Sequence, residues 1–255
     1  AALVATTGDI TVNATNDLLT DVSTITSVTS AGDLTLENGF LKLGTSALSG
    51  NLVVNGDADL EATGNIAANA VILSTSNDVT LDTKTLTTGL VAGGGSGDFN
   101  LGTIDAQGDA NSTVSITTGT GNDTMILDDT GGPAKYEVNA GDGINNITIT
   151  DVKAASTVTT GSGNDIITIN EGDAVVVTTG GGDDAITVSG ATVELALDAG
   201  TGNDTLTVSG TVTGSMAGIE YLAVKDGGNV TLSSTLIDND GDFEVTTDGT
   251  ITVTM

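Results

Sequence analysis

The chain contains no histidine, no cysteine, no arginine and no tryptophan, and its single proline is Pro133. Without imidazole or thiol there is no Ser-His-Asp triad, no cysteine nucleophile and no His/Cys zinc site. The only basic side chains are Lys42, Lys84, Lys135, Lys153 and Lys225. Against them stand 34 acidic residues, giving a net charge of −29. A chain so poor in cations cannot neutralise a phosphate backbone, which excludes direct nucleic-acid binding. Aromatic residues make up 2% of the chain, so the platforms that usually hold sugars are scarce. No apolar run reaches the length of about 18 residues that a membrane-spanning helix needs. The absence of cysteine says little about compartment. No signal peptide with a charged start is visible in the sequence, and Ala1 is expected to follow processing or to begin a fragment.

What is present points elsewhere. Hydrophobic residues are 38% of the chain, too many for a disordered acidic tail, and they are mainly Ala, Val, Ile and Leu. Glycine contributes 36 residues. One segment recurs. Thr118-Gly119-Thr120-Gly121-Asn122-Asp123 precedes Thr124-Met125-Ile126-Leu127. Equivalent copies run from Thr160 through Gly161, Gly163 and Asp165, from Thr179 through Gly180, Gly182 and Asp184, and from Ala199 through Gly200, Gly202 and Asp204. A weaker copy, Ala140-Gly141-Asp142-Gly143-Ile144-Asn145, lies between the first two. The period is about 20 residues, the range that marks solenoids.

After each loop, apolar and polar residues alternate. Met125, Ile147, Ile167, Ile186 and Leu206 form one column, and Leu127, Ile149, Ile169, Val188 and Val208 a second. Between them Thr148, Thr168, Thr187 and Thr207 form a polar column. Period two predicts a strand with one face buried. Before each loop a second strand is predicted by Ile116, Val138, Val158, Val177 and Leu197. Neither strand can bury its face alone, whereas stacked periods bury both. The predicted fold is all-β: a parallel β-solenoid, roll-like where the Gly-Asp loops lie in 117–210. Three segments are expected: looser solenoid coils over 1–105, loop-bearing coils over 106–210 and terminal coils over 211–255. The looser coils share a short Gly-Asp, Asn-Asp or Gly-Asn turn before a strand, as in Gly8-Asp9-Ile10, Gly32-Asp33-Leu34, Asn77-Asp78-Val79, Gly50-Asn51-Leu52 and Gly97-Asp98-Phe99.

Stacking places equivalent carboxylates ~5 Å apart, where like charges repel. A divalent cation would remove that cost and take the oxygen ligands on offer. The alternative is that Gly, Asn and Asp only shape tight turns. The loop with its following apolar residue resembles the RTX nonapeptide, Gly-Gly-x-Gly-x-Asp-x-apolar-x, over about a third of the chain. The match departs at Thr or Ala in the first Gly position and at Asn145 in place of Asp. The resemblance implies Ca²⁺ as cofactor, with Asp123, Asp165, Asp184 and Asp204 as carboxylate ligands. It implies loop carbonyls near Gly119, Gly121, Gly161, Gly163, Gly180, Gly182, Gly200 and Gly202 as the other ligands, on one edge of the coils only. The position of Asn145 is expected to be weakest.

Other acidic groups are less specific. Asp238-Asn239-Asp240-Gly241-Asp242 begins like an EF-hand but misplaces its glycine, and reads as an acidic turn. Asp57, Asp59, Asp128 and Asp129 read as solvated turn residues, and no pair of carboxylates marks a catalytic cleft. The expectation is therefore a non-enzymatic, secreted, calcium-stabilised module of a bacterial surface layer or surface filament that self-associates, with surface glycans as candidate partners and no membrane insertion. RTX-type surface-layer proteins are one home of such repeats, and the looser coils resemble haemagglutinin-like adhesin passengers. Alternatives are a monomeric adhesin or ice-binding rod, which the outward Thr column suggests, and an accessory RTX module of a secreted enzyme. The loops also resemble those of a bacterial RTX ice-binding adhesin, whose repeats carry Gly-Thr-Gly-Asn-Asp.

Overall fold

A computed structural model describes residues 2–13, 23–75, 77–81, 85–88, 90–106, 113–128, 135–152, 155–190, 192–225, 227–233, 244–247 and 249–254. All its regular structure is strand, and every pairing between successive coils is parallel. The 26 strands form one continuous ladder. The chain is a β-solenoid, as the sequence pattern predicts. Pro133, Asp129 and the cluster 238–242 lie outside the described residues.

The two apolar columns after the loops are confirmed residue by residue. Met125 pairs with Ile147, then Ile167, Ile186, Leu206 and finally Leu222. Leu127 leads the second column in the same register through Ile149, Ile169, Val188 and Val208 to Val224. All of these side chains are buried. The opposite face stacks Ile116, Val138, Val158, Val177, Leu197 and Met216 in the same way. Each side chain thus sits on a near copy of itself, and a thin aliphatic core runs the length of the stack. The Thr column is half-exposed between the buried ones, with Thr148, Thr168, Thr187 and Thr207 in direct register.

Buried residues that depart from the aliphatic pattern include Phe99, Tyr136 and several polar side chains. Tyr136 is fully buried, and its hydroxyl lies 3.0 Å from the Ile104 carbonyl and 3.3 Å from that of Asp128. A buried phenol is tolerated only with such a partner. Asp59, expected in a solvated turn, belongs instead to the strand Leu52–Ala62 and is half-buried. Burial raises its pKa, the Asp78 N–H lowers it and the Asp78 charge raises it again.

The short Gly-Asp turns of the looser coils fall on two different edges. Asp9 Oδ1 accepts the Asp33 N–H at 2.9 Å, and Asp33 Oδ1 accepts that of Asn51 at 2.7 Å, ahead of the strands that begin at Ile10, Leu34 and Leu52. On the other edge Asp78 Oδ1 accepts the Asp98 N–H at 3.1 Å, and Asp98 Oδ1 that of Asn122 at 2.7 Å. The second edge is the one that carries the Gly-x-Gly loops further along the chain.

Candidate metal centre

Each loop joins a strand of one face to a strand of the other. In its Asn-Asp pair the two side chains point opposite ways. The first residue is exposed, and its Oδ1 accepts an N–H from the following coil: Asn122 from Ile144 at 2.8 Å, Asn164 from Asp183 at 2.9 Å and Asp183 from Asn203 at 2.9 Å. The second residue is turned inward, and its Oδ1 accepts an N–H from the preceding coil. Asp123 receives Phe99 at 2.9 Å, Asp165 receives Asn145 at 2.7 Å, Asp184 receives Asp165 at 2.8 Å and Asp204 receives Asp184 at 2.8 Å.

These four aspartates are no more than 2% exposed. The second oxygen of each, Oδ2, is buried without a hydrogen-bond partner. The hydroxyls of Thr118, Thr160 and Thr179 sit beside the carboxylates of Asp123, Asp165 and Asp184 and ease their charge. Each hydroxyl has one proton, however, and gives it to a carbonyl of the next coil, that of Ala140, Thr179 or Ala199, at 3.0, 2.8 and 2.9 Å. The Oδ2 atoms therefore remain unpaired. Burying a carboxylate costs several kcal/mol after relaxation. One charge-assisted N–H bond returns only about 1.5–3 kcal/mol.

The pKa shifts carry the same sign. Burial pushes Asp123 up to about 6, against the relief given by Thr118 and the Phe99 N–H. Asp204 also rises to about 6, through burial first, eased by the Asp184 N–H and then raised by the charges of Asp184, Glu220 and Asp183. Asp165 and Asp184 are raised by burial as well. Desolvation thus outweighs the repulsion within the row that the sequence argument emphasised.

The glycines are needed where the backbones meet. Gly163 and Gly182 have φ of 137° and 131°, a region side chains rarely adopt. A Cβ on Gly182 would collide with the Gly163 carbonyl oxygen, and one on Gly202 with that of Gly182. Among the described residues no donor reaches the carbonyl oxygens of Gly121, Gly163, Gly182 or Gly202. The carbonyls of Gly161 and Gly180 each accept one N–H from the next coil, at 3.0 and 2.9 Å, leaving a second lone pair. The loops therefore offer carboxylate and carbonyl oxygens, a donor set that suits a hard divalent cation or a proton. Among the described residues no three acidic side chains converge on one point, so carbonyls would have to complete any coordination shell.

All predicted site residues fall on this one edge. Sequence reasoning missed the hydroxyls of Thr118, Thr160 and Thr179 and the carboxylate of Glu220. The Thr hydroxyls beside the carboxylates stand one residue before the first loop glycine. Glu220 Oε2 accepts the Asp204 N–H at 2.7 Å and so extends the acidic file by one coil. The register of Thr205 on Tyr221 places Glu220 level with Asp204, but the segment lacks the Gly-x-Gly signal. Asp142 lies outside the file: its exposed carboxylate accepts the N–H and hydroxyl of Ser162, each at 2.8 Å, which lowers its pKa. In comparisons with known proteins, no protein-family model, no curated protein and no solved structure matches this chain.

Proposed function

We propose that the chain is a structural, non-enzymatic, calcium-stabilised β-solenoid module of a bacterial surface layer or surface filament, acting outside the cell. The observation that carries the reading is the file of buried, unpaired Oδ2 atoms of Asp123, Asp165, Asp184 and Asp204 on loops whose carbonyls are short of donors. Asp123, Asp165, Asp184 and Asp204 would hold Ca²⁺ together with loop carbonyls, and the ion would supply the positive charge the loops lack. Calcium is about millimolar outside cells and sub-micromolar inside, so folding of these coils would be completed on export.

Self-association belongs to the same proposal: a regular parallel stack takes another copy on any strand edge left without a partner, and a head-to-tail contact of that kind repeats into a filament. The Thr column favours the ice-binding alternative less, because its register runs into Ile126 at one end and Ala223 at the other.

Electron microscopy of the purified chain, in millimolar calcium and after chelation, tests the reading. Ordered filaments or sheets that disappear on chelation are the expected result. Isolated rods in calcium would refute self-assembly while keeping the metal. An identical appearance in both conditions would remove calcium from the account.

A further inference from the structure

The inward file has one member that is not a carboxylate. Asn145 stands level with Asp165, because Asn146 pairs with Ile166, and it is fully buried. Its Oδ1 accepts the Asp123 N–H at 3.2 Å, as each aspartate Oδ1 accepts an N–H from the coil before it. That donor fixes which end of the amide is oxygen. The nitrogen must then take the place that Oδ2 has in the other loops. It donates to the carbonyls of Gly141 at 3.2 Å and Gly143 at 3.3 Å, the two glycines of its own loop.

The contrast is between one atom and its counterparts. In the loops of Asp123, Asp165, Asp184 and Asp204 the equivalent atom is an acceptor without a donor, on loops whose glycine carbonyls are also acceptors. In the loop of Asn145 it is an NH₂ group whose two protons go to the two glycine carbonyls. A group of positive partial charge already holds the loop together. An incoming ion would have to displace both bonds and would gain no anionic ligand from this loop. The amide also lies beside the Asp165 carboxylate of the next coil.

We propose that Asn145 is a built-in stand-in for the cation: its amide nitrogen does in the 140–145 loop what a divalent ion does in the neighbouring loops. This coil then folds without metal. It divides the ion-binding edge into a solitary position at Asp123 and a run at Asp165, Asp184 and Asp204. The inference rests on the calcium reading of those neighbours.

The test is a calcium chloride titration of the metal-stripped chain by calorimetry, with thermal melts in EDTA alongside, on wild type, Asn145→Asp and Asp184→Asn. Asn145→Asp is expected to bind one calcium more than wild type and to melt several degrees lower in EDTA. Asp184→Asn is expected to bind one fewer and to melt higher in EDTA, because its amide can bridge Gly180 and Gly182. If Asn145→Asp binds no extra calcium while wild type binds the ion, the stand-in is overturned and the calcium reading survives. If wild type binds none, both fall. Should Asn145→Asp not fold without metal, Asp184→Asn decides: an EDTA melt below that of wild type overturns the proposal.

Discussion

One file of inward side chains passes through both halves of the solenoid and changes its chemistry midway. In the first half it is Leu41, Leu60, Val79 and Phe99, stacked in direct register and buried. In the second half the same corner is held by Asp123, Asn145, Asp165, Asp184 and Asp204. Phe99 and Asp123 meet at the boundary: the Phe99 N–H is the donor to Asp123 Oδ1. The exposed Asp or Asn ladder outside this file continues from Asp78 through Asp98 and Asn122 to Ile144. A corner filled with hydrocarbon is stable as it stands, since burial of apolar area suffices. A corner filled with carboxylate is stable only when something neutralises it. On the calcium reading proposed above, the first half folds without an ion and the second depends on one.

Chelation should break the molecule along this line. In hydrogen exchange at neutral pH, adding EDTA is expected to strip protection from the strands between 113 and 208, least from those flanking the Asn145 loop, and to leave those between 34 and 106 largely intact. Equal loss in both halves would show that the Asp corner is not what needs the metal. A smaller effect follows from protons, the other cation the corner can take. Folded-state pKa values near 6 at Asp123 and Asp204 lie above the ordinary 3.8. The folded chain therefore binds more protons than the unfolded one between those values, and stability rises as pH falls. In EDTA the melting temperature should climb as the pH is lowered from 7 towards 4. In calcium it should fall over the same range, because protons displace the ion. Thermal melts across that range check both signs. The smallest effect concerns the feature the halves share. Asp98→Ala and Asn164→Ala each remove one exposed acceptor from the outer ladder, and each should cost about 0.5–1.5 kcal/mol. Denaturant titration should return the same cost with and without calcium.

The columns of the second half were legible because two periods coincide: alternation along each strand, and a repeat near 20 residues that sets equal side chains on one another. Ile147, Ile167 and Ile186 could be placed on one file from spacing alone. The aspartates were legible as candidate ligands, but their burial was not. Inward and outward neighbours such as Asn122 and Asp123 look alike as letters, and only the register on Asn100 and Phe99 separates them. The two edges of the first half were hidden for a related reason. Gly32-Asp33 and Gly97-Asp98 are the same turn, and which corner a turn occupies depends on how many residues each face takes. Glu220 escaped because a longer side chain reaches the same N–H from a loop without Gly-x-Gly.

From the Asn164-Asp165 loop to the Asn203-Asp204 loop, paired ladders, one reaching back a coil and one reaching forward, give successive coils the same two handshakes. The Asp165 N–H meets Asp184 Oδ1, 19 positions along, just as the Asp184 N–H meets Asp204 Oδ1. Excising residues 166–184 and rejoining the chain would present the Asp165 N–H to Asp204 with no bond left over. The length of the stack is therefore a quantity that tandem duplication or deletion in the gene can change in whole-coil steps, without redesigning the core or either end.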